Sequence, residues 1–395
     1  MSRARRPPQC AVCREAARSD MRNLVECGKG VFLCRPCAAT ALRCFDAKAV
    51  SGPAGSAAAS PAVMTPQDLV SALDKAVVGQ VEAKRALAVA AWKHLQRKAG
   101  NTAVPPAHVL LYGPTGCGKT YLAKSLAKLL DVPFVPVDAT TLTETGYKGR
   151  DVRDILFDVL DAARAYEQEK HAVVFVDEFD KLAARGSESR QAYQHGTQHG
   201  FLTLLEGGQQ TAERQTRTVS FDTSGLLFVF AGAFPGLPEI VSQRTRQSLR
   251  TIGFGSEQTP PDPQRMLSQA LPEDFVRFGV EAELMGRIPV LAPVSPLGVP
   301  DLMRILTDAE HSARAQYADF FAQLGRAFTL DDAAAEALAH AAYASGTGAR
   351  GLRGQLEQIV TELLFSLPPD SEIHITKELV HGGHEQGPSL SREIG

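Results

Sequence analysis

The sequence predicts an α/β protein: a parallel sheet with helices on both faces, a smaller α-rich domain after it, and a cysteine-bearing module before it. Three observations predict this. Short apolar runs at Val109 to Tyr112, Val132 to Val137, Val173 to Val176 and Leu226 to Phe230 alternate with helical patterns, as a parallel sheet with crossover helices requires. A glycine-rich turn from Gly113 to Thr120 lies between the first of these strands and a helix. From Asp301 onward the apolar spacing becomes helical, at Leu302, Ile305 and Leu306, then Ala333 to Ala344 and Leu352 to Leu364, with one short strand at Ile373 to Ile375.

The N-terminal part is set apart by its cysteines. With 395 residues the chain can form two or three domains with real cores. Its seven cysteines suit metal or thiol chemistry better than disulfides, because no secretory signal precedes them. Cys10-x-x-Cys13, twenty intervening residues and Cys34-x-x-Cys37 give two knuckles whose thiolates can converge on one tetrahedral Zn²⁺. So short a segment has little core, so zinc would supply its folding energy. We expect a zinc-binding module over residues 1–48 and a flexible linker over 49–65, rich in Ser, Gly, Ala and Pro between Ser51 and Pro61. Thr65-Pro66 reads as a helix start. The large α/β domain is expected over 66–293, the small domain over 294–380 and a disordered tail over 381–395.

A net charge of −2 argues against a mainly electrostatic nucleic-acid binder. No apolar run approaches the ~20 residues of a membrane span, so a cytoplasmic protein with no membrane partner is expected.

The glycine-rich turn carries the most chemistry. In Gly113-Pro114-Thr115-Gly116-Cys117-Gly118-Lys119-Thr120 the glycines let successive backbone N–H groups converge on phosphates. Lys119 would reach the β and γ phosphates, and the Thr120 hydroxyl would help hold Mg²⁺. Tyr121 is expected to open the helix whose positive N-terminal end lies behind them. Val173-Val-Phe-Val-Asp177-Glu178 is a buried strand ending in two acids. Asp177 can hold Mg²⁺ through water, and Glu178 can orient or deprotonate an attacking water. Together the motifs indicate ATP hydrolysis.

Several further motifs occur in a fixed order: Leu73-Asp-Lys-Ala-Val77-Val78-Gly79-Gln80, the Gly113 to Thr120 loop, Asp138 to Tyr147, Asp177-Glu-Phe-Asp-Lys181, Gly286-Arg287 and Gly348-Ala-Arg350-Gly-Leu-Arg353. In this order, behind the cysteine knuckles, they resemble the ClpX family of AAA+ unfoldases, from Cys10 to about Pro368. The resemblance implies an AAA+ P-loop fold and a homo-hexameric ring that threads unfolded or tagged proteins to a ClpP-type peptidase, with adaptors recruited through the zinc module. It implies that Val77 and Val78 line the adenine pocket, that Arg287 is an arginine finger for a neighbouring subunit's nucleotide, and that Arg350 is the sensor arginine of the small domain. Tyr147 and Lys148, in Gly146-Tyr-Lys-Gly149, would form the substrate loop of the pore, although the family usually has Val in place of Lys148. Ile252-Gly253-Phe254 would dock the peptidase. Two regions depart from the family pattern. Tyr193 to Gly200, with His195 and His199 expected as neutral loop histidines, stands where the second pore loop is found. Arg214-Gln-Thr-Arg217 stands in place of a basic entrance loop.

Overall fold

Alternate residues of each central strand point to opposite faces of one sheet, and both faces are apolar. This is the pattern of a sheet buried on two sides. The structure, a computed structural model, describes residues 24–28, 31–34, 64–101, 103–143, 150–166, 171–183, 188–214, 217–250, 262–308, 312–366, 368 and 371–382. Residues 1–59 and 60–395 form two compact units. In the first, β1 (Leu24–Gly28) and β2 (Val31–Cys34) pair as an antiparallel hairpin. Cys34 ends β2, while Cys10, Cys13 and Cys37 lie outside the described residues.

The second unit opens with α1 (Pro66–Ala76) and α2 (Val81–Lys98). Thr65 and Asp68 cap α1 reciprocally: Thr65 Oγ1 accepts from the Asp68 N–H at 3.2 Å, and the Thr65 N–H donates to Asp68 Oδ2 at 2.9 Å. Then come β3 (Val109–Tyr112), α3 (Lys119–Leu129), β4 (Phe134–Asp138), the short parallel pair β5 (Leu142–Thr143) and β6 (Arg150–Asp151), α4 (Ile155–Tyr166) and β7 (Ala172–Asp177). After α5 (Glu188–Leu205), the hairpin of β8 (Gln209–Arg214) and β9 (Arg217–Asp222) precedes β10 (Leu226–Gly232), α6 (Leu237–Arg250), α7 (Pro263–Ser268), α8 (Pro272–Phe278), α9 (Ala282–Arg287) and β11 (Val290–Pro293).

The central sheet has the order β11-β3-β10-β7-β4, and every pairing in it is parallel. Leu110, Tyr112, Val174, Val176, Phe228 and Phe230 pack on one face with Phe179, Phe201 and Phe234. Val109, Leu111, Val173, Phe175, Leu227 and Val229 pack on the other against α1, α2 and α3. Burying each phenylalanine contributes roughly 2–3 kcal/mol, so the sheet is the mechanical base of everything at its edge.

A helical domain follows: α10 (Val299–Thr307), α11 (Ala313–Gln323), β12 (Phe328–Leu330), α12 (Asp332–Ala344), α13 (Gly348–Ser366), β13 (Ile373–Ile375) and α14 (Lys377–Gly382). β12 and β13 pair in parallel beneath the helices, and Leu302, Leu306, Phe321, Leu338 and Leu356 form a separate core.

Two local expectations are corrected. The helix after the glycine-rich turn starts at Lys119 rather than Tyr121, because Gly118 takes the left-handed N-cap conformation at φ 91°. His195 and His199 are not in a loop: Tyr193 to Gly200 lies inside α5, anchored by buried Thr197, Gln198 and Phe201. His195 Nδ1 there sits 2.8 Å from Glu281 Oε1. Arg214 and Arg217 close the β8–β9 hairpin, and their guanidinium groups lie 5.6 and 5.7 Å from the ring centre of Phe157 on α4, within cation–π range.

Beneath the sheet, burial pushes the His94 pKa down to about 3, helped by His171, Lys98, Arg97 and His108. His108, whose Nδ1 accepts from the Phe228 N–H at 3.3 Å, is pushed down to about 4 by burial. Both rings are therefore neutral in the folded chain at neutral pH, whereas unfolded histidine takes up a proton near 6.5. Their contribution is complete above that value and is lost as pH falls toward 4, at about 1.4 kcal/mol per pH unit for each ring. Urea unfolding measured between pH 7 and 5 should show this fall, and His94→Leu should make the slope shallower.

Candidate functional site

β3, β7 and β10 end side by side, and the segments leaving their C-terminal ends form a crevice, the usual ligand position of an open α/β sheet. Gly113 leaves β3 with φ 150°, and a Cβ there would lie 2.1 Å from the Val294 carbonyl oxygen. Gly116, at φ 78°, is as confined: its Cβ would lie 2.3 Å from the Thr347 carbonyl oxygen. Glycine is required at both positions by backbone conformation and by contact. Lys119 Nζ donates to the carbonyls of Gly113 at 2.8 Å and Pro114 at 2.7 Å, which holds the ammonium at the loop.

The acids meet this loop from β7. Asp177 Oδ2 accepts from Thr120 Oγ1 at 3.3 Å, and Asp177 Oδ1 accepts from the Glu178 N–H at 2.9 Å. Glu178 has φ 54°, a left-handed backbone uncommon for a residue with a side chain. The turn aims its exposed carboxylate into the crevice rather than along the strand. Asp180, buried one turn further on, accepts from the Ala233 N–H at 3.2 Å and so ties this turn to the end of β10.

A cavity of about 500 Å³ runs from this polar end between the sheet domain and the helical domain. Thr115, Gly116, Cys117, Gly118, Lys119 and Thr120 line its loop side, together with Tyr121, Asp177 and Glu178. Val77, Val78, Leu297, Ile305, Leu306 and Leu352 make its other end apolar. Arg350 and Arg353 line it from α13, whose first turn is bonded to the loop: the Ala349 N–H donates to the Gly116 carbonyl at 3.1 Å. Tyr317 lines it from α11, its ring stacked on Phe328 at 5.5 Å and its hydroxyl bonded to Glu357. Gly113 and Pro114 stand behind the cavity wall and serve it through Lys119.

The residues fit Mg²⁺ and ATP. The glycine cradle has no room for a Cβ at Gly113 or Gly116, a lysine and two arginines line the cavity, and the Thr120 hydroxyl and Asp177 carboxylate form an oxygen donor pair suited to Mg²⁺. Cys117 is 3 % exposed and its Sγ donates to the Pro114 carbonyl at 2.7 Å. Burial raises its pKa against the pull of Lys119, so the thiol is a packed wall element rather than a ready thiolate.

The structure does not bring Arg287 to this cavity. It ends α9, where Nη2 donates to Glu206 Oε1 at 3.1 Å, both side chains being about half exposed. Tyr147, Lys148, Ile252, Gly253 and Phe254 lie outside the described residues, as do Cys10, Cys13 and Cys37. No cluster of three metal-ligating side chains occurs among the described residues, which do not include the side chains of the four knuckle cysteines. Nor is any helix among them long and apolar enough to cross a membrane. Sequence reasoning missed Gln80, Asp180, Tyr317 and Arg353. Gln80, Asp180 and Arg353 stand inside recognised motifs, and only that adjacency could have pointed to them.

The model for the ATPase family associated with various cellular activities (AAA) matches residues 109–250, and that for the C-terminal, D2-small domain of ClpB protein matches residues 300–381. The ATP-dependent Clp protease ATP-binding subunit ClpX of Borrelia duttonii is 33% identical over 402 residues, covering 96% of this chain and 92% of its own length. Its counterpart in Azotobacter vinelandii is 35% identical over 354 residues, covering 83% of this chain and 80% of its own length. The chain thus belongs to the ClpX family of AAA+ proteins, and it is an ATPase that takes ATP with Mg²⁺.

Proposed function

We propose that the chain is one subunit of a hexameric ring that uses ATP hydrolysis to unfold proteins, thread them through a central pore and deliver them to a ClpP-type peptidase. The observation that carries this reading is an asymmetry. The cavity gathers Lys119, Thr120, Asp177, Glu178 and Arg350, while Arg287 stands away from it on a half-exposed helix end. Such an arginine can serve a nucleotide only if another subunit presents one. The names of the relatives, subunits of the Clp protease, support the same reading.

In this reading Lys119 and the loop N–H groups bind the phosphates, and Thr120 and Asp177 hold Mg²⁺, which would spread charge away from the β and γ oxygens. Glu178 orients the attacking water and takes its proton. Val77 and Val78 receive the adenine, and Arg350 links the nucleotide to the angle of the helical domain. Tyr147 grips the polypeptide in the pore with Lys148 beside it, and Ile252, Gly253 and Phe254 dock the peptidase. Cys10, Cys13, Cys34 and Cys37 hold Zn²⁺ in a module that recruits substrates or adaptors. The hairpin β1–β2, which ends at Cys34, suits a knuckle of this kind.

A second reading is an ATP-switched remodelling or scaffold protein that engages no peptidase. It is favoured by α5 standing where a second pore loop was expected and by the stacking of Arg214 and Arg217 on Phe157. Degradation of a tagged fluorescent protein by the chain plus peptidase decides between them. The proposal expects ATP-dependent loss of fluorescence that disappears when Ile252 to Phe254 are deleted. ATP turnover with neither unfolding nor degradation establishes the second reading instead.

Two substitutions test the division of labour. Glu178→Gln should leave binding of a fluorescent nucleotide intact and cut phosphate release by about 10²- to 10⁴-fold. Tyr147→Ala should leave phosphate release near its normal rate while substrate degradation falls roughly tenfold or more.

A further inference from the structure

Gln80 joins the phosphate loop to the segment that leads out of the sheet. It precedes α2 with a left-handed backbone, φ 57°, and is 9 % exposed. Its Nε2 donates to the Cys117 carbonyl at 3.2 Å and to the Ser295 carbonyl at 2.8 Å, and its Oε1 accepts from the Ser295 N–H at 2.9 Å. One side-chain amide thus holds a carbonyl of the loop and both backbone groups of a residue 215 positions away. Glycine would adopt that backbone more easily but could make none of these bonds.

Both anchor points are mechanically placed. The Cys117 carbonyl shares a peptide plane with the Gly118 N–H, one of the groups that turns toward phosphate in a loop of this kind. A tilt of that plane moves the oxygen that Gln80 holds. Ser295 follows Val294, whose N–H donates to the Tyr112 carbonyl at 2.8 Å, and opens the connection Ser295-Pro296-Leu297-Gly298 into α10. Leu297 and α10 line the cavity. With the amide buried, losing one of its bonds leaves a donor unpaired, so loop and connection are favoured to move together.

We propose that Gln80 is a positioning residue of the ATPase: its amide transmits the orientation of the Cys117–Gly118 peptide to Ser295, the pivot of the helical domain. Nucleotide binding at the loop thereby sets the angle at which α10 and α13 close over the cavity. This rests on the ATPase alone and is independent of the ring, the pore and the peptidase.

Hydrogen exchange of the full-length protein, with and without a non-hydrolysable ATP analogue, tests it together with steady-state kinetics. In the unaltered protein the analogue should change exchange in both 113–120 and 295–306. Gln80→Ala should bind the analogue within about threefold of the unaltered protein and still protect 113–120. It should lose the response in 295–306, and kcat should fall about tenfold with little change in KM. Gln80→Glu, which keeps an acceptor for the Ser295 N–H but removes both donated bonds, should show the same separation and serves if Gln80→Ala does not fold. A response in 295–306 that survives both substitutions overturns the proposal. So does a parallel fall of melting temperature, analogue affinity and kcat in both, which would make Gln80 a purely structural clamp.

Discussion

Backbone meets backbone around the phosphate loop at distances that admit no side chain, and the rest of the site depends on that constraint. A Cβ on Gly113 would strike the Val294 carbonyl, one on Gly116 the Thr347 carbonyl, and one on Gly348 would come within 2.7 Å of the Gly116 carbonyl. The loop is therefore seated against the exit of β11 on one side and against the first turn of α13 on the other. At these contacts the loop and the first turn of α13 lie in backbone contact, close enough for each to press on the other. In the proposed function, this contact would join the chemical site directly to the part that moves.

The sheet makes such a contact sustainable. The strands are apolar on both faces, so their C-terminal ends are held rigidly in register, Asp138 beside Asp177 on neighbouring strands. That rigidity allows Glu178 to hold a left-handed backbone, a conformation that costs about 1–3 kcal/mol in a residue with a Cβ. The turn is fixed from both sides: Asp177 accepts the Glu178 N–H, and the buried Asp180 is bonded to the strand next door. The result is an exposed carboxylate lining the same cavity as the loop that carries Lys119.

Much of this was legible in the sequence because it is local. Gly113 to Thr120 and Asp177-Glu178 are defined by residue type and spacing within one strand-to-helix or strand-to-turn junction, and the alternation of strands and helices gave the sheet that presents them. What was not legible arises from contacts across long separations. Gln80 acts through Cys117 and Ser295, Asp180 through Ala233, and Tyr317 reaches the cavity only because α11 folds back over it. The misplaced His195 and His199 have the same origin: they sit where the family carries a pore loop, but Gly200 packs against Val152, where a Cβ would lie 3.0 Å from a Val152 methyl carbon, so glycine there serves helix packing. Likewise, the Phe157 ring that engages Arg214 and Arg217 comes from another element.

Arg287 joins these structural points to the proposed assembly. Its partner Glu206 is as exposed as it is, and an exposed arginine–glutamate pair contributes only ~0–1 kcal/mol. Exchanging that carboxylate for a phosphate on a neighbouring subunit would cost little, whereas an arginine buried in a salt bridge would first have to give up several hydrogen bonds. α9 follows Glu281, whose N–H donates to Gln198 Oε1 at 2.8 Å, and Gln198 Nε2 in turn donates to the Leu182 carbonyl at 2.7 Å, just beyond the Glu178 turn. The weakly held guanidinium thus stands on a helix tied through Gln198 to the segment that follows β7. In a ring, the state of one site would bear on the position of the arginine offered to the next.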